Sequence, residues 1–138
     1  MEWLPFALAS AVFAAATALL CKLGIAGIPS NLATAIRTAV VLFFAWSIVL
    51  VRGEHRTLAS LKSKAVLFLV LSGLTTGLSW LAYFRALQLA PATRVAPIDK
   101  LSLPLTIVFA ILLLHESVSL YSAIGVALMM AGAILTIY

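Results

Sequence analysis

The stretch "APIDKLSLPLTIVFAILLL", residues 96–114, sets an acid and a base side by side at the head of an almost pure hydrocarbon run. Pro97 and Pro104 stand on either flank of Asp99 and Lys100. A helix needs about 20 predominantly apolar residues to cross a bilayer, and residues 92–114 supply such a run. The rest of the chain has the same character. Of its 138 residues, 64% are hydrophobic and only 9% charged, whereas a soluble domain carries roughly a quarter of its residues charged. Water would not tolerate that much apolar surface, but a bilayer does. The fold class is therefore an all-α membrane protein.

Polar punctuation divides the chain into apolar runs at about residues 3–21, 31–51, 65–90, 92–114 and 118–138. This predicts one domain over residues 1–138, built from five transmembrane helices. Connections so short make neighbouring helices antiparallel in one bundle. Barrel strands are excluded, because no ten-residue alternation of polar and apolar positions occurs. Gly27 and Pro29 mark a turn before the second span, with Ser30 or Asn31 as its cap. "RGEHRTLASLKSK", residues 52–64, is the one wet loop. Small residues recur at helical spacing: Ala7, Ala11, Ala15 and Ala18; Gly73 and Gly77; Ala123, Ala127 and Ala131. Such stripes let helices approach closely where lipid supplies no hydrophobic drive.

Several function classes drop out. The net charge of +5 is scattered between apolar runs and forms no basic patch of the kind that binds nucleic acid. A single cysteine, Cys21, allows no intrachain disulfide. "TALLC", residues 17–21, resembles a lipoprotein signal, but Leu20 stands where a small residue is needed; residues 4–20 read as a retained span. His115 has no companion histidine, so no metal site is expected. The chain has no glycine-rich phosphate loop and no credible serine–histidine–acid set. No catalytic residues and no cofactor are expected, and the chain does not read as an enzyme. Glu116 belongs to an aqueous turn and is expected to cap the last helix through "ESVS".

Basic residues set orientation in membranes. Arg52, Arg56, Lys62 and Lys64 share the side of the N-terminus; Lys22 and Arg94 lie on the other, with Arg37, Arg85 and Lys100 if those are counted. The wet loop favours the N-terminus inside, and the small bias leaves both orientations open. The expected location is the cytoplasmic (inner) membrane of a bacterium or archaeon.

Charges within the spans are the candidate functional residues. A charge in hydrocarbon costs roughly 2.5–3.5 kcal/mol on insertion scales. Arg37 lies two turns into the second span beside Thr34 and Thr38, and either snorkels to the interface or lines a polar cavity. Arg85 stands near the end of the third span, where snorkelling suffices. Trp80, Tyr83 and Phe84 share one helical face, either as packing or as the wall of a substrate pocket. Asp99 and Lys100 point about 100° apart on a helix, so each is expected to need its own partner, with Arg37 or Arg85 a candidate for Asp99. Asp99, Ser102 and Thr106 form a polar stripe. Pro104 removes the amide that would bond the Lys100 carbonyl, and Pro97 does so for Thr93. Bare carbonyls at membrane depth face protein or a water-filled cavity, and charges beside them fit the broken helices of transporter sites. The alternative puts all of these groups at headgroup level.

Residues 95–138, with "PIDKLS" at their head and a "GAILTIY" tail, resemble the C-terminal half of an EamA repeat of the drug/metabolite transporter superfamily. "WLAYFRALQLAPATRVAP", residues 80–97, resembles the junction before it. The resemblance implies a secondary transporter or exporter of small metabolites acting by alternating access. Larger members pair two five-span repeats of opposite orientation, so a single-repeat chain implies a homodimer, antiparallel or not. It carries over to Asp99, Lys100 and Pro97 alone. The related small multidrug exporters place a glutamate in their first span; no acid lies between Leu4 and Cys21 here. The excess of basic groups suits an anionic or zwitterionic solute. Arg37, Trp80, Phe84, Asp99, Lys100 and Ser102 are the expected substrate contacts, with Pro97 and Pro104 breaking the helix. The competing reading is a non-transporting membrane subunit or a flippase component that partners another membrane protein.

Overall fold

Helices account for most of residues 2–138, which this computed structural model describes, and no strand occurs among them. They are α1 (Leu4–Gly24), α2 (Ser30–Val51), α3 (Ser63–Leu89), α4 (Ala92–Asp99), α5 (Ser102–Leu114) and α6 (Leu120–Leu135). Four stretches are long and apolar enough to cross a membrane: α1, α2, α3, and α4 with α5 taken together as Ala92–Leu114. α6 is apolar too but has only 16 residues. The all-α membrane fold read from composition is the fold observed, with four to five helices able to span.

Large apolar side chains are exposed all around these helices: Phe6, Phe13, Phe43, Leu78, Leu113 and Tyr121 are examples. In water such a surface would be untenable. In lipid it costs nothing, because acyl chains are as apolar as leucine. The buried set among the described residues is short: Ile25, Thr34, Phe84, Leu87 and Ala133.

The described residues divide into two compact units. One contains the chain up to Lys22 and Leu89–Tyr138, and here α6 packs against α4 and α5. The Lys22 ammonium donates to the Ala90 carbonyl at 2.9 Å. Ala90 follows directly on the end of α3, where the last carbonyls of a helix lack intrahelical donors and favour a cation. The other unit is Leu23–Gln88, with α2 and α3 as its body.

Helix ends differ from the sequence reading in two places. Pro29, not Ser30 or Asn31, occupies the position before α2, with no side-chain cap; Ser30 is already helical, and its carbonyl accepts the Thr34 hydroxyl at 2.9 Å. Ser119, not Glu116, caps α6: its hydroxyl accepts the Ser122 amide at 3.1 Å. A short side chain adjacent to the first turn reaches that amide; a glutamate three residues upstream does not. The wet loop holds a 3-10 helix, Glu54–Ser60, entered through Gly53 at φ 71°, a left-handed backbone that glycine adopts without penalty.

Candidate functional site

α2 and α3 run antiparallel, and two contacts fix their register. The Gln88 amide donates to the Ile28 carbonyl at 2.7 Å, tying the end of α3 to the turn before α2. Further along the pair, the Arg37 guanidinium lies over the Trp80 ring at 4.1 Å from its centroid and 5.8 Å from that of Phe84. Trp80, Phe84 and Gln88 follow at intervals of four, so they line one face of α3. Both distances are within the roughly 6 Å reach of a cation–π contact.

The guanidinium does not lean toward the near end of α2. Arg37 stands seven residues past Ser30, about 10 Å along α2. Trp80 stands nine residues before Leu89, about 13 Å from the end of α3. A helical side chain leans toward its own N-terminus, which here would carry the guanidinium past Phe84 toward Gln88. Instead the deeper ring, Trp80, is the nearer one. Phe84 is only 3% exposed and backs the arginine, while Trp80 is half-buried. The flanking threonines do not extend this polar face. Thr34 donates to Ser30 and Thr38 to the Thr34 carbonyl at 2.8 Å, both within their own helix. Arg85 is exposed and donates to Gln88 Oε1 at 3.1 Å.

The other charged group lies at the interruption between α4 and α5. The chain leaves α-geometry at Lys100 (ψ −7°) and re-enters it at Ser102. Here two expectations are corrected. Asp99 and Lys100 do pair with each other, Nζ to Oδ2 at 3.4 Å. The 100° argument assumed a continuous helix; the helix stops between them, and the long lysine stem folds back. The Lys100 carbonyl is not bare either: it accepts the Leu103 amide at 3.0 Å. Lys100 and Leu101 likewise donate to Pro97 and Ile98 at 3.1 and 3.0 Å. These bonds span three residues, the tighter 3-10 pattern, so the break satisfies its own backbone. Pro104 is the third residue of α5, where a missing amide costs nothing. Thr106 turns its hydroxyl to the Ser102 carbonyl at 2.8 Å, and Ser102 is exposed.

Of the residues singled out in the sequence, α2 and α3 bring Arg37, Trp80 and Phe84 together in one unit. Asp99, Lys100, Ser102, Pro97 and Pro104 gather at the interruption in the other. Sequence reasoning missed the stacking of Arg37 on Trp80 and the Gln88–Ile28 bond. The signal was present in the four-residue spacing of Trp80, Phe84 and Gln88, once the two spans are set antiparallel.

Comparison with known proteins agrees with this architecture. The model of the EamA-like transporter family matches residues 1–138. A Sinorhizobium protein described as "Uncharacterized transporter in cobO 3'region" is 49% identical over 134 residues, covering 97% of this chain and 95% of its own. No solved structure matches the chain.

Proposed function

The chain belongs to the EamA-like transporter family, and we propose that it is a secondary transporter that carries a small anionic or zwitterionic solute by alternating access, as a homodimer. It is an integral membrane protein, and its family is one of transporters rather than enzymes. In this reading the five spans over residues 1–138 act as one repeat, and a second copy supplies the other half that larger relatives carry in one chain. The membrane is the cytoplasmic one, with the N-terminus inside.

The observation that carries the reading is the interrupted fourth span. A continuous helix would be the cheaper way to cross lipid. This chain instead stops one between two prolines and sets an ion pair at the stop. Interrupted helices with charges at the break are how transporter folds assemble solute sites. Lys100 meets the solute's anionic group, Asp99 balances charge or carries a proton, and Ser102 adds a hydroxyl. Arg37, with Trp80 and Phe84 beside it, is a further candidate solute contact within its own unit.

The test is solute flux in vesicles containing purified protein. Asp99→Asn and Lys100→Ala are expected to insert normally and to lose flux. Wild-type flux in both would overturn the site. Protein that moves nothing alone and co-purifies with a different membrane chain would favour the subunit reading. Cysteines placed in residues 52–64 report orientation: labelling from one side only excludes an antiparallel dimer.

A further inference from the structure

We infer that the Arg37 guanidinium, placed over the Trp80 ring, is a clamp for a single carboxylate group of the solute; this assignment rests on the transporter reading above for its biological role. The observation is the contrast between Arg37 and the other basic side chains whose partners are known. Arg85 bonds Gln88, Lys22 bonds the Ala90 carbonyl, Arg52 pairs with Glu54, and Lys100 pairs with Asp99. Arg37 has two aromatic rings beside it, and no hydrogen bond or ion pair engages it among the described residues of its unit. A ring covers one face of a guanidinium. It leaves the N–H edges in the plane, and those edges match the two oxygens of a carboxylate in a bidentate pair.

The surroundings make the group a positioned one. Phe84 is buried beside it, and the Gln88–Ile28 bond fixes the register that sets Trp80 opposite Arg37. Trp80 and Phe84 are therefore positioning residues, and Arg37 is the contact. Charge then selects the ligand. Arg85 is exposed and engaged with Gln88, so the clamp offers one positive charge. That balances a monocarboxylate; a doubly charged phosphate would be left with an excess. The same edge would also accept the phosphate of a lipid headgroup, and the experiment separates these sources.

The probes are butanoate, butanamide and butylammonium, alike in size and different in charge, with inorganic phosphate as a fourth. The protein is the full chain with Trp3→Phe and Trp46→Phe, both exposed positions, which leaves Trp80 as the sole tryptophan. It is studied in a neutral detergent and in vesicles of zwitterionic or anionic lipid. Saturable change of Trp80 emission with butanoate, and none with butanamide or butylammonium at equal concentration, is the expected result. Arg37→Lys keeps the charge and loses the planar fork, and is expected to weaken butanoate binding at least ten-fold with helical content unchanged. The probe comparison needs no variant at Arg37, so a misfolded Arg37→Lys does not shelter the assignment. Equal responses to all three butyl probes would overturn it. So would tighter binding of phosphate, or emission that follows anionic lipid content and ignores butanoate. Butanoate binding without flux in vesicles would leave the clamp standing and remove transport. Flux of another solute with no butanoate response would do the reverse.

Discussion

Arg37 and Lys100 are both basic residues within apolar stretches, and the chain accommodates them in opposite ways. Lys100 stands where the helix has stopped, exposed, with an acid next to it. Arg37 stands inside an unbroken helix and leans on aromatic rings. The first solution changes the backbone to suit the charge; the second keeps the backbone and changes the neighbours. An exposed ion pair contributes little stability, so the interruption at Lys100 is not explained by what it adds to folding. The stacked arginine is different, because a desolvated cation–π contact is worth about 2 kcal/mol. The ion pair therefore adds little to folding and the arginine over its ring adds more; it is under the proposed function that both meet solute.

The largest expected effect tests the first region. Asp99→Asn and Lys100→Ala should abolish flux in vesicles while leaving unfolding temperature within a degree or two of wild type, since the pair is exposed. A large loss of stability would put the ion pair in the same class as the stacked arginine. The second region should respond the other way. Trp80→Leu is expected to lower stability by about 1–2 kcal/mol, the scale of a partly desolvated cation–π pair, as read by denaturant unfolding in detergent. A double-mutant cycle with Arg37→Leu isolates that coupling; additivity would mean the ring and the cation do not act as a unit. Gln88→Leu removes the amide bonded to Ile28 and should cost about 1 kcal/mol, with a larger effect on Trp80 emission than on helical content if register is what it controls.

A smaller effect concerns helix ends in the other unit. His115 terminates α5 with φ 54°, the one non-glycine residue at positive φ among those described. Its amide and that of Glu116 both point to the Ala110 carbonyl, as in helix stops that usually employ glycine. His115→Gly should therefore raise stability by about 0.5 kcal/mol, relief of left-handed strain less the extra chain entropy of glycine. Loss of stability would show that the imidazole has a role in that turn.

How much of this was legible beforehand follows from what each signal measures. Hydropathy reports length of apolar chain, so the spans were readable; it is blind to the fact that one run of 23 residues is two helices. The prolines announced an interruption near Asp99. They did not say that the backbone would close on itself through bonds such as Leu103 to Lys100, because that depends on the turn adopted at Leu101. Helical spacing put Trp80 and Phe84 on one face and left their partner open. Arg37 became that partner only when the Gln88–Ile28 bond fixed how far α3 slides along α2. The cap of α6 was misread because the expectation fell on Glu116, while Ser119, three residues on, is the side chain that reaches the Ser122 amide.

α6 has a consequence of its own. As the fifth span of the proposed repeat, its sixteen residues rise about 24 Å, against a hydrocarbon layer of about 30 Å. Something must make up the difference: the bilayer dimples around this helix, or its serine-capped entrance is drawn inward. Each ångström of mismatch costs a fraction of a kcal/mol, and the spans longer than α6 have slack to tilt while α6 has none. The lipid composition of the host membrane thus presses first on the helix that packs against the interrupted span, making bilayer thickness a mechanical input to the very segment where the charges sit.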